Sequence, residues 1–192
     1  MARDLMFQQE IQQAVRQAYG AIASGAGEQV ARRLYSDQDL SEVPAGAVEW
    51  ALGVGNPVRY AMLQPGQTVL DVGSGGGIDT ILAARRVGSQ GEAVGLDFLE
   101  EMCARGRHHA AQAGVEGWTR FVRGEMEDIP LPNQSVDVVV SNGVLNLSAR
   151  KSRALAEIFR VLRPGGRICM ADLTVEGELP PEVAGDQSAW AG

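Results

Sequence analysis

Apolar positions recur along this chain with two different periods, and the change from one to the other divides it. Residues 4–18 follow a helical period and predict an amphipathic helix ending at Tyr19-Gly20. The stretch "YSDQDLSEVP" is rich in turn formers, and "PAGAVEWALGVGNP" predicts a short helix followed by a glycine-rich loop closed by Asn56-Pro57. Beyond it, short apolar runs alternate with helical segments. "QTVLDV", "GEAVGLDF", "WTRFVRG", "VDVVVS" and "GRICMADLT" predict five strands. "IDTILAARRV", "EEMCARGRHHAAQAG" and "SRALAEIFRVL" predict the helices between them.

Continuous apolar strands alternating with helices imply an α/β fold. The expected sheet is doubly wound, mostly parallel and covered on both faces, with right-handed connections. In such sheets ligands bind outside the carboxyl ends of the strands, near the switch point. The expected organisation is a helical N-terminal lid over residues 1–62, a core over 63–175 and a tail over 176–192. After "GRICMADLT" only "VEGELPPEVAGDQSAWAG" remains, so the sheet is expected to stop at five strands or the chain to be a trimmed form. An exposed edge strand tends to pair, so a homodimer through that edge or through the N-terminal helix is expected.

Composition narrows the chemistry. The 192 residues suffice for one domain with a sizeable core, and 45% hydrophobic with 21% charged residues is ordinary for a globular chain. A net charge of −7 argues against nucleic acid, and no apolar run is long enough to span a bilayer. The two cysteines, Cys103 and Cys169, lie far apart. They suit free thiols in a reducing cytoplasm, with no metal site expected.

The first strand runs into "VLDVGSGGGIDT". A dinucleotide fingerprint would need a third glycine where Ile78 stands, so that spacing fails. An acid inside the strand, Asp71, would repel a pyrophosphate but welcome an ammonium or sulfonium. Asp97, ending the second strand, could accept hydrogen bonds from both ribose hydroxyls, and Phe98 could pack on an adenine face. In "RGEMEDIPLP", Glu125 could accept from an adenine amino group while Met126 supplies a backbone N–H and an apolar wall. Each acid alone has an ordinary structural explanation. Together they converge on one crevice.

This pattern resembles the class I S-adenosylmethionine-dependent methyltransferases over roughly residues 66–174, and "RVLRPGGR" adds a second match. The resemblance implies a Rossmann-like sheet and S-adenosylmethionine as cofactor, with S-adenosylhomocysteine as product. It implies Gly73, Ser74 and Gly75 beside the amino-acid end, Asp97 and Phe98 at the ribose and adenine, and Gly124, Glu125 and Met126 at the adenine. More narrowly, "AYG", "YS", "GAVEWALGVGNP" and "SNGVLNLS" resemble the arsenite methyltransferase branch, with Tyr19, the Gly53-to-Pro57 loop, Asn142 and Asn146 matching its pattern. That implies Tyr19, Asn56 and Asn142 around the cofactor's methionine part. By the same resemblance, cysteines usually stand where this chain has Val54 and Gly143. Trivalent arsenic needs converging thiolates, so a small organic acceptor is expected instead. The alternatives are a non-catalytic remnant that binds S-adenosylmethionine or its product, a truncated arsenite methyltransferase, and, less supported by the glycine spacing, a nucleotide-dependent oxidoreductase. No catalytic side chain is identified. His108 and His109 are expected on the solvent side of their helix.

Overall fold

The computed structural model describes residues 10, 13–17, 26–174, 176 and 177. Tyr19 and the tail beyond 177 lie outside the described residues. The described part of the expected first helix, residues 10 and 13–17, is helical. Among the described residues, four further helices precede the sheet: α1 (Ala26–Leu34), α2 (Asp37–Ser41), α3 (Ala45–Glu49) and α4 (Pro57–Tyr60). The sequence reading placed nothing over α1. It took α2 for a turn, yet Ser36 and Asp39 form a reciprocal capping box that starts a helix there.

The remainder is β1 (Thr68–Val72), α5 (Ile78–Val87), β2 (Glu92–Asp97), α6 (Glu100–Gln112), β3 (Thr119–Arg123), β4 (Val136–Asn142), α7 (Lys151–Val161) and β5 (Leu162–Ala171). The order across the sheet is β3-β2-β1-β4-β5 and every pairing is parallel. This is the expected α/β architecture, with the switch point between β1 and β4. β5 begins earlier than expected. A bulge lets Val136 face Leu162 while Val138 faces Arg167, so "RPGG" lies inside the strand.

Two cores flank the sheet. One joins α5, α6 and the N-terminal helices through residues such as Ile81, Leu82, Val87 and Ala47. The other packs Leu70, Val139, Ile158 and Val161 beneath α7. With both faces covered, the carboxyl edge is where the sheet meets other groups. The loops after β1 and β4 diverge there.

Candidate functional site

The glycine loop is shaped by backbone bonds. Gly73 and Ser74 donate their N–H groups to the Leu96 carbonyl at 2.8 and 2.9 Å, which ties the end of β1 to β2. Gly77 starts α5 at φ +92°, a left-handed conformation that a side chain would strain. Asp97 closes the same ring. Its two carboxylate oxygens accept from Gly75 N and Leu99 N, each at 2.9 Å. Burial raises its pKa, against the pull of these amides.

A cavity opens beside it with about 680 Å³ of empty space, part of it open to solvent. Val72, Gly73, Leu96, Asp97, Phe98 and Met126 line it, with Gly124 and Glu125 at the mouth of β3. Val15 of the N-terminal helix covers it. The structure thus brings together Gly73, Asp97, Phe98, Gly124, Glu125 and Met126. Glu125 is exposed at the rim. Glu127, which the sequence reading passed over, is buried in the wall and accepts from Ser148 Oγ.

A second cavity continues from Gly73 past Ser74, Gly75, Asp79 and Asn142 to Trp50 and Gly53. Ser74 Oγ is buried without a protein hydrogen-bond partner on the side of Gly95, where an added Cβ would stand 2.9 Å from it. Behind it stands a side-chain network. Tyr35 donates its hydroxyl to Asp79 at 3.0 Å, and Asn142 Nδ2 reaches Asp79 at 2.9 Å, Tyr35 at 3.0 Å and the Gly55 carbonyl at 2.8 Å. Asn142 Oδ1 accepts from Val54 N and Gly55 N at 2.8 and 3.0 Å. The approach is close enough that a Cβ on Gly53 would stand 2.3 Å from the Asn142 amide nitrogen. Burial raises the Asp79 pKa to about 6, and burial with the adjacent Asp79 holds the Tyr35 hydroxyl well above its usual range.

The other residues singled out above have structural partners. Asp71 lies under the loop and accepts from Thr80 Oγ1 at 2.6 Å; burial, then Asp79, pushes its pKa well up. Asn56 caps α4 by accepting from Arg59 N at 3.1 Å and lines neither cavity. Within "SNGVLNLS", Ser141 donates to the Val72 carbonyl and Asn146 N donates to Asp172. Cys103 is buried in α6, its thiol pushed up to about 11 by burial, and Cys169 sits in β5. Among the described residues no group of three or more His, Cys, Asp or Glu could hold a metal ion, and no helix is long and apolar enough to cross a membrane. His108 is exposed, as expected, whereas His109 is buried. Tyr35 falls in "YSDQDLSEVP" and Glu127 in "RGEMEDIPLP", but nothing in either stretch marks the partners 44 and 21 residues away.

Comparison with known proteins agrees with this geometry. The chain is 40% identical over 158 residues to an arsenite methyltransferase of Halobacterium salinarum, covering 82% of this chain and 40% of the relative. It is 35% identical over 128 residues to a ubiquinone/menaquinone biosynthesis C-methyltransferase of a Marinomonas species, covering 66% and 51%. The chain thus spans between two fifths and about half of the length of these curated relatives. The crystal structure of an arsenic(III) S-adenosylmethionine methyltransferase from Chlamydomonas reinhardtii superposes with a TM-score of 0.69 at 33% identity, covering 88% of this chain and 58% of that one. A model of the methyltransferase domain matches residues 63–192, from just before β1 through every strand of the sheet, and on that match the chain belongs to the methyltransferase-domain family.

Proposed function

We propose that this chain binds S-adenosylmethionine across the two joined cavities and transfers its methyl group to a small organic acceptor. The observation that carries the reading is Asp97. Its carboxylate lies in the cavity wall with one backbone N–H on each oxygen, leaving lone pairs for the two hydroxyls of a ribose. Ser74 and Gly75 line the second cavity, where the polar amino-acid end of the same ligand would lie. The apolar walls of Val72, Leu96, Phe98 and Met126 fit its adenine, with Gly124 and Glu125 at the adenine edge. Asp71 lines neither cavity; it lies beneath the loop, accepting from Thr80 Oγ1, and on this reading it supports the turn rather than touching the ligand. Tyr19 is assigned to the lid over the methionine part.

The bound cofactor supplies a methyl group on a sulfonium, whose departure leaves a neutral thioether. The protein's work is therefore alignment and exclusion of water, to which positioning can contribute several kcal/mol. Asn142 holds the Gly53–Gly55 loop over this end of the crevice. Val54 and Gly143 face each other there: a Cβ on Gly143 would stand 3.3 Å from Val54 Cγ1. These are the two positions where the arsenite methyltransferase resemblance implies cysteine. Their proximity supports that correspondence, and on this reading their identities leave these two positions without a thiol. A homodimer through the edge strand β5, where Ile168 and Met170 are 40% and 37% exposed, would appear in light scattering as twice the chain mass.

Calorimetric titration with S-adenosylmethionine, S-adenosylhomocysteine and NAD tests the reading. Micromolar binding of the first two and none of NAD is expected. NAD binding in their place, or no binding at all, overturns it. An acceptor screen with arsenite as the expected negative follows; binding without turnover on any acceptor would favour a non-catalytic module.

A further inference from the structure

The sequence reading placed His109 on the solvent side of α6. The structure buries it at 6% exposure between three elements. His109 Nδ1 lies 2.7 Å from the Gly76 carbonyl of the glycine loop. A carbonyl only accepts, so Nδ1 carries the proton of this bond. The other side of the ring faces α3: a Cβ on Gly46 would stand 2.6 Å from Nε2. Gly76 meets the same cap segment independently, because a Cβ there would stand 2.7 Å from Trp50 Cβ. One turn earlier on α6, Arg105 places its guanidinium carbon 4.0 Å from the centre of the Trp50 ring. Arg105 and His109 are four apart on one helix and so share a face.

We propose that His109, with Arg105, is a positioning residue that locks the cap segment 45–50 onto the glycine loop, so that cofactor affinity and the placement of the acceptor loop are set at one joint. The inference rests on the cofactor-binding reading above. The peptide between Gly76 and Gly77 is pinned at both ends: its carbonyl by His109, its N–H by the Ser74 carbonyl at 2.8 Å. That turn presents Ser74 and Gly75 to the cavity and sends the Gly75 N–H to Asp97. On the other side of the joint, Trp50 leads directly into the Gly53–Gly55 loop held by Asn142. A change at Gly76 therefore reaches both halves of the crevice.

The test uses the full chain and three variants. His109→Asn keeps an amide N–H near the place of Nδ1, His109→Leu keeps bulk without a donor, and Gly46→Ala pushes on the ring from the cap side. S-adenosylhomocysteine affinity is read by calorimetry, and hydrogen exchange of residues 51–56 is read without ligand. His109→Leu and Gly46→Ala are expected to weaken binding about tenfold, the scale of one lost hydrogen bond, and to speed exchange at 51–56. His109→Asn is expected to stay within about threefold of the parent. Parent-like affinity in His109→Leu overturns the proposal, as does a His109→Asn loss as large as that of His109→Leu. Should His109→Leu fail to fold, parent-like affinity in Gly46→Ala overturns it instead. If the parent chain itself binds no S-adenosylhomocysteine, the cofactor reading falls, while exchange at 51–56 still reports on the joint: unchanged exchange in both variants overturns the proposal, and faster exchange supports its cap half.

Discussion

The two halves of the crevice are built in opposite ways. Around Asp97 the carboxylate is held by backbone N–H groups, from Leu99 two residues on and Gly75 twenty-two residues back. Asn142 also holds backbone groups of Val54 and Gly55, but its amide is set within a side-chain network, with Asp79 across 63 residues and Tyr35 across 107. The first half needs only the turn after β1 and the end of β2, which adjacent parallel strands bring together. The second also needs residues 35–55 in place, because every bond of Asn142 except that to Asp79 reaches them. Backbone-held geometry tolerates change nearby, whereas a side-chain network of half-buried and buried groups is disturbed as a unit. The crevice therefore joins a half built from the sheet's own loops to a half whose shape depends on residues 35–55.

The largest expected effect breaks the second half. Asn142→Ala removes the acceptor for Val54 N and Gly55 N and the donor to Asp79, and should lower folding stability by about 4 kcal/mol, read by urea denaturation. A loss within error of zero would mean that the network holds nothing. Next, Asp97→Ala should weaken S-adenosylhomocysteine binding by about 3 kcal/mol, roughly a hundredfold, through lost charge-assisted bonds. Unchanged affinity would remove Asp97 from the ribose.

The third prediction separates the two halves by pH. The Asp79 pKa is raised by burial from 3.8 to about 6 in the folded chain. The folded state therefore binds the extra proton, and this group favours folding fully below pH 4 and progressively less as pH rises through 6. Relative to Asp79→Asn, the parent should lose on the order of 2–3 kcal/mol between pH 4 and 7. A pH-independent difference would mean that Asp79 titrates alike in both states. The smallest effect is at Gly143, where φ is +73°. Gly143→Cys should cost about 1 kcal/mol in thermal unfolding. Together with Val54→Cys, it should create arsenite binding that the parent lacks. A double variant that ignores arsenite would count against the two positions acting as a pair.

The readable part of the molecule follows the same division. The five strands and the three helices among them could be placed from their periods, because a buried strand is an apolar run and α5 is an apolar helix between glycines. Asp97 stood out because it ends such a run. The crevice was legible for the same reason: strand ends mark it. α2 hid in "YSDQDLSEVP" because its capping box uses the residues that also make turns. His109 looked solvated because α6 carries charges along most of its length, and only the cap packed on that face covers it. Asn142 is legible as a polar residue at a strand end, but its partners Tyr35 and Asp79 lie 107 and 63 residues away.

The amino-acid sequence by itself determined the parallel sheet, the glycine turn and the acids that end the second strand and follow the third. Those features come from local periodicity and from contacts that neighbouring strands impose. Only the tertiary structure decided that Tyr35, Asp79 and Asn142 form one network, that Val54 faces Gly143, and that His109 joins the cap to the glycine loop. The reason is physical: these bonds link segments 33 to 107 residues apart, and no local period encodes which distant side chain will fill a partner's last hydrogen bond.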